Sequence, residues 1–169
     1  GDALEKGRFW DAHLRPFMDE AAGPGNWAID VGAYIGFHSV YLAQHYQFVV
    51  AVEPVERTFR LLRENCEANG VDDRVACSVR AAYDSETVLR RAYPNEVGWD
   101  PLLSQHAPSV PWFPHPGNPG DVLGETLITG RIDNLLILAH WPITFVKVDA
   151  QGCDLRVLCG LEDTIQRYR

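Results

Sequence analysis

At 169 residues, 46% of them hydrophobic and 22% charged, the chain can bury one good core and reads as one globular domain. Its formal net charge of −8 disfavours nucleic acid or an anionic membrane surface as the main partner. No apolar run is long enough to cross a bilayer and no signal peptide opens the chain, and the scattered cysteines Cys66, Cys77, Cys153 and Cys159 read as reduced packing residues in a cytoplasmic setting.

In chain order, residues 3–22 predict an amphipathic helix. Phe9, Trp10, His13, Leu14 and Phe17 fall at helical spacing, and Pro16 should kink the helix or start a new one. Gly23-Pro24-Gly25-Asn26 reads as a turn closing an N-terminal helical segment, 1–26. The pattern then alternates. Trp27–Val31 predicts a strand, Gly36–His45 a helix, Phe48–Val52 a second strand and Val55–Asn69 a second helix. That helix carries Phe59, Leu62 and Cys66 on one face and stops at Asn69-Gly70. Arg74–Ala82 predicts a third strand and Thr144–Val148 a later one, apolar except for Lys147. Leu155–Tyr168 predicts a helix. Repeated βα units imply an α/β fold, a mostly parallel sheet with helices on both faces.

Residues 84–130 break this rhythm. Seven prolines interleave there with Trp99, Trp112 and Phe113, and the aromatics favour an ordered insert or cap over a linker.

The segment Ala28-Ile29-Asp30-Val31-Gly32-Ala33-Tyr34-Ile35-Gly36-Phe37-His38-Ser39 carries the most chemistry. It reads as a buried strand, a tight glycine turn and a helix start. Gly32 and Gly36 suit a turn whose backbone approaches a ligand, and the helix-start amides suit an anionic group. Asp30 is placed to accept from an ammonium or to order the loop. Glu53, followed by Pro54, sits just past the second strand, where an acid can take both hydroxyls of a ribose; the plainer alternative is a helix-capping glutamate. Together these residues indicate a nucleotide-type cofactor. A nicotinamide dinucleotide wants G-x-G-x-x-G, and the middle glycine is missing here, since Ala33 and Tyr34 follow Gly32. S-adenosylmethionine (SAM) has no pyrophosphate and tolerates that spacing.

These residues resemble the FkbM family of SAM-dependent methyltransferases. The likeness runs through Ile29–Ala33, Ile35–Ser39, Val52-Glu53-Pro54 and Leu61–Gly70. It resumes at Arg131-Ile132-Asp133-Asn134-Leu135-Leu136 and closes with Phe145–Gly152 and Leu155–Gly160. Lys147-Val148-Asp149-Ala150-Gln151-Gly152 followed by Val157-Leu158-Cys159-Gly160 is the more family-specific part. The resemblance implies a three-layer, Rossmann-like class I methyltransferase sheet in a single domain, 1–169. It places Asp30, Gly32 and Gly36 along the methionine end of SAM, with Ser39 helping to hold its carboxylate. Glu53 takes the ribose, and Ala81 and Ala82 lie near the adenine. Asp149 stands by the sulfonium and the acceptor, as a base or a positioning group. Two departures stand out. Tyr34 occupies a position where the family usually has Asn. The family pattern also continues with further strands beyond Arg169, so the chain reads as lacking its C-terminal strands, with the fourth strand an exposed edge.

The implied reaction is methylation of a hydroxyl on a sugar or natural-product small molecule, with S-adenosylhomocysteine (SAH) as the product. A base assists an alcohol acceptor, and Asp149 is the first candidate. Its structural alternative is a carboxylate bonded to the amides at Gln151-Gly152. Lys147 reads first as a snorkelling structural lysine, with pairing to a carboxylate as the alternative. His106 and His115 are further candidate bases, and Trp99, Trp112 and Phe113 could cover an acceptor. His38 reads as a packing residue at the cofactor helix start. No histidines stand at metal-ligand spacing, so no metal is expected, an oxygen-rich magnesium site at Asp149 being the alternative. Two other functions compete: an NAD(P)-dependent oxidoreductase, and a non-catalytic SAM- or nucleotide-binding module.

Overall fold

The computed structural model describes residues 11–90, 126–135 and 141–168. A short 3-10 turn, Ala12–Leu14, leads into helix α1 (Arg15–Glu20). Next come β1 (Gly23–Val31), α2 (Phe37–His45), β2 (Tyr46–Val52), α3 (Glu56–Ala68) and β3 (Val75–Ser78). The short strands β4 (Ala81–Ala82), β5 (Val88–Arg90) and β6 (Thr126–Gly130) follow. Helix α4 (Ile132–Leu135), strand β7 (Ile143–Val148), and helices α5 (Asp154–Cys159) and α6 (Glu162–Arg167) complete the described chain.

The main sheet is parallel, in the order β3-β2-β1-β7. Strand periodicity of two sends alternate residues to opposite faces, so both faces need cover. Ala28, Val49 and Ala51 face a core that includes Met18 of α1, Leu42 of α2, and Leu62 and Cys66 of α3. Ile29, Val31, Val50 and Val52 face a second core with Ile132, Val157 and Leu161. A second, three-stranded sheet has the order β4-β6-β5, with β4 and β6 parallel and β5 and β6 antiparallel. Among the described residues β7 is an edge of the main sheet. All four cysteines are unpaired.

Several sequence expectations are corrected. Of the two roles expected for Pro16 the structure has the second: it sits in the first turn of α1 and starts that helix, because a first-turn proline gives up an amide that has no helical acceptor anyway. Phe17 is 62% exposed and Met18 takes the core position, so the expected apolar face is rotated; Phe9 and Trp10 lie outside the described residues. Gly23–Asn26 belongs to β1 rather than to a turn. Its pairing with β2 shifts register between Gly23 and Trp27, with Gly25 at φ +90°.

The third strand divides after Ser78, whose carbonyl accepts from the Glu53 amide. The next donor of that alternation, the Val55 amide, is turned to the Glu53 carboxylate, and the chain re-pairs through Ala81 and Ala82 with Thr129 and Gly130. The last helix divides at Gly160-Leu161, where the Gly160 carbonyl accepts from the Asp133 amide and the amides of Asp163 and Thr164 turn to the Asp133 carboxylate; Gly160 also lies against the Tyr83 carbonyl, where a Cβ would collide. The expected insert contributes β5 and the β6 strand at its two ends; residues 91–125 within it lie outside the described residues.

The motif Arg131–Leu135 has a structural task. The buried Asp133 carboxylate accepts from the amides of Asp163 (3.1 Å) and Thr164 (3.0 Å) and from the Thr164 hydroxyl (2.7 Å). It thereby satisfies donors that the start of α6 leaves without helical acceptors.

Candidate active site

The chain runs from β1 to β2 to β3 in one direction across the sheet, and β7 lies on the other side of β1. The crevice between the carboxyl ends of β1 and β7 is therefore the topological switch point, where open α/β sheets bind ligands. The Gly32 turn forms one wall and Asp149 the other. They touch: a Cβ at Gly32, which has φ +73°, would run into the Asp149 carbonyl oxygen. Gly36, at φ +86°, caps α2 and leaves room for Leu62 of α3, whose Cδ1 would lie 2.6 Å from an added Cβ. Both glycines are thus required by approaches within the protein itself.

Beneath the turn lies a buried polar chain. Asp30 and Lys147 are register partners on β1 and β7. The Lys147 Nζ donates to Asp30 Oδ1 at 3.1 Å and to the Gly32 carbonyl at 3.4 Å. Ser39 Oγ donates to Asp30 Oδ2 at 2.7 Å. Asp30, Ser39 and Lys147 are all buried, so Lys147 does not snorkel; it is the counter-ion of Asp30. The sequence carried a signal for this pair: one charge of each sign, the lone charge in each of two strands.

Asp149 emerges from this chain into the open. Its side chain is 59% exposed, and its Oδ2 lies 4.0 Å from Lys147 Nζ. The nearby backbone amides do not hold it. Ala150 and Gly152 instead donate to Asp154, at 2.8 and 3.2 Å. Asp154 is a loop-ordering residue that the sequence reading missed, although an acid opening a helix just after a glycine is a recognisable signal.

Glu53, buried past the end of β2, accepts three internal hydrogen bonds. Its Oε1 takes the Val55 amide (3.0 Å) and the Thr58 hydroxyl (2.7 Å), and its Oε2 takes the Tyr34 amide (2.9 Å). It therefore anchors the start of α3 and links it to the glycine turn. Oε2 retains one acceptor direction for a ligand hydroxyl. Tyr34 itself is 62% exposed with φ +53°, a left-handed backbone that disfavours a bulky residue and suits Asn.

His38 is buried beside this cluster, with Nε2 3.7 Å from Asp11 Oδ2. Burial pushes its pKa below the ordinary 6.5, the carboxylates of Asp30 and Asp11 oppose the shift, and Lys147 adds to it. Ala81 and Ala82 are buried in β4, with Ala82 in the second core. His106, His115, Trp99, Trp112 and Phe113 lie outside the described residues. Among the described residues no cluster of His, Cys, Asp and Glu could hold a metal ion, and no helix is long and apolar enough to cross a membrane.

The model of the methyltransferase FkbM domain matches residues 30–169, from the buried acid of β1 onward. This chain belongs to the FkbM methyltransferase domain family. The crystal structure of an FkbM methyltransferase from Methylobacillus flagellatus is similar over 86% of this chain, with a TM-score of 0.53 and 16% identity, and supports the fold. The chain spans 32% of that protein's length. A SAM-dependent O-methyltransferase from Thermotoga maritima aligns with 44% of this chain and 29% of its own, at 26% identity and a TM-score of 0.40. No curated protein matches the chain. In this FkbM domain the Lys147-Val148-Asp149 segment supplies both the buried cation and the exposed carboxylate of the crevice.

Proposed function

We propose that this FkbM domain binds SAM in the β1–β7 crevice and directs its methyl group to a hydroxyl on a sugar or natural-product small molecule, within a three-layer class I methyltransferase fold. The observation that carries this reading is the position of Asp149: an exposed carboxylate at the switch point, against the glycine turn, with its neighbouring amides already taken by Asp154. The donor set fits SAM. Glu53 Oε2 accepts one hydrogen bond, from the Tyr34 amide, which leaves it a lone pair for a ribose hydroxyl, and the crevice offers the exposed Asp149 carboxylate to a cation. Gly32 and Gly36 shape the methionine end. Asp30 and Ser39, bonded to each other and fully buried, support that wall from beneath. Ala81 and Ala82 bound the adenine side without adding bulk.

SAM supplies an electrophilic methyl on a good leaving group, so the protein's main task is alignment. With SAM bound, Asp149 would orient the acceptor hydroxyl and would be the group to take its proton. The four unpaired cysteines support a cytoplasmic setting.

Calorimetric titration with SAH, with NADH as the control, tests the reading. Binding of SAH alone is the expected result. Binding of NADH would overturn it in favour of the oxidoreductase. Binding of SAH without methylation of any hydroxyl acceptor would leave a non-catalytic module.

A further inference from the structure

Lys147 is a cation in an unusual place. It is buried in a strand whose other side chains are mostly apolar, and Asp30 alone would balance its charge. A buried ion pair is a weak source of stability, because removing both charges from water offsets their attraction. A pair kept only for packing could be replaced by two apolar side chains.

What distinguishes this ammonium is a second carboxylate within ion-pair distance. An ammonium has three donors. Asp30 takes one at 3.1 Å, and the Gly32 carbonyl lies 3.4 Å away. The Asp149 carboxylate lies 4.0 Å away, and among the described residues it has no other ion-pair partner. Ser39 holds Asp30 in turn, so the ammonium is fixed from α2 through β1. Lys147 is buried and Asp149 is 59% exposed, so the lysine is held in place from within the protein while solvent screens part of its attraction for the carboxylate.

This matters for methyl transfer. The sulfonium is cationic before the reaction and becomes a neutral thioether. A bare carboxylate beside it would stabilise the reactant more than the transition state, and uniform or ground-state binding does not raise the rate. We propose that Lys147 is a positioning residue that works through Asp149, holding this carboxylate at the mouth of the crevice and offsetting its charge, so that the site does not overbind the cationic form of the cofactor. The proposal rests on the SAM reading above.

The test is the preference for SAM over SAH, measured as a ratio of dissociation constants by calorimetry. Asp149→Asn should lower the preference for SAM. If it leaves the ratio unchanged, Asp149 is not near the sulfonium and the placement of SAM fails, taking this proposal with it. The pair Asp30→Asn/Lys147→Met removes both buried charges together, so no lone charge remains inside. With Asp149 still present, it should raise the preference for SAM about three- to tenfold. Lys147→Arg, which keeps the cation, should leave the ratio near that of the unaltered protein. An unchanged or lowered ratio in the double variant, with Asp149→Asn behaving as expected, would overturn the role of Lys147 while leaving the SAM reading intact. Should the double variant not fold, Asp30→Asn/Lys147→Gln offers polar side chains of similar size for the same measurement. A purely structural lysine would change both affinities together and not their ratio.

Discussion

Asp30 and Lys147 meet across the β1–β7 pair at 3.1 Å, both buried, each the lone charge of its strand. Removing one partner leaves the other as an uncompensated buried charge. Lys147→Met should therefore cost about 3–5 kcal/mol of stability. Asp30→Asn/Lys147→Met should recover most of that loss. Urea denaturation of both single variants and the double variant would measure the coupling, and simple additivity would show that the pair does not act as a unit.

Tyr34 is an aromatic residue in a left-handed backbone conformation. It holds φ +53° while its ring stays exposed and its amide serves Glu53. Tyr34→Asn keeps that amide and relieves the left-handed conformation. Thermal unfolding should show a gain of about 0.5–1 kcal/mol. A loss would mean that the exposed ring makes a contribution that outweighs the strain.

Glu53 joins α3 to the glycine turn by three accepted hydrogen bonds. Glu53→Ala should weaken SAH binding by about 1.5–3 kcal/mol for a charge-assisted bond lost. It should also lower the melting temperature, because the start of α3 loses its acceptor. Calorimetry beside a thermal melt separates the two effects. Unchanged SAH affinity in a folded variant would place the ribose elsewhere.

Asp133 reaches from α4 to satisfy the start of α6. Asp133→Ala should cost about 2 kcal/mol. Amide exchange at Asp163 and Thr164 should accelerate well before the main sheet is affected. Equal protection in the variant would show that water replaces the cap at no cost.

His38 gives the fold a pH dependence. Burial lowers its pKa below 6.5, with Asp30 and Asp11 opposing and Lys147 assisting. The unfolded chain then binds the proton more readily than the folded one, so this contribution is complete above 6.5 and is lost as the pH falls below it. Urea midpoints from pH 7.5 down to about 5.5 should fall more steeply in the unaltered protein than in His38→Asn. Parallel slopes would assign the acid sensitivity to other groups.

Legibility in the sequence followed the range of the interactions involved. The β1–turn–α2 segment, β2 and α3 were readable because hydrophobic period, glycine and Asn-Gly stop signals lie within a few residues of each other. The division of the third strand was not, because its cause is a partner strand, β6, some fifty residues downstream. The break in the last helix was hidden likewise, since the backbone groups freed there pair with Asp133, far upstream in the chain. At the site, Asp149 was legible as an acid at a strand end. Its freedom from the neighbouring amides depended on Asp154, and the fate of Asp30 depended on Lys147, which is 117 positions away in sequence.

The sequence by itself determined the alternation of strands and helices, the glycine turn, and the family to which these motifs belong. These follow from local periodicity and from short runs of residue types. Only the tertiary structure decided which carboxylates stay available. Asp30, Asp133 and Asp154 are all bonded to groups within the protein, Glu53 is largely so, and Asp149 is left at the crevice. The physical reason is that a carboxylate's role depends on the donors that reach it and on its exposure to water. Both are set by strand register and helix packing between residues far apart in the chain.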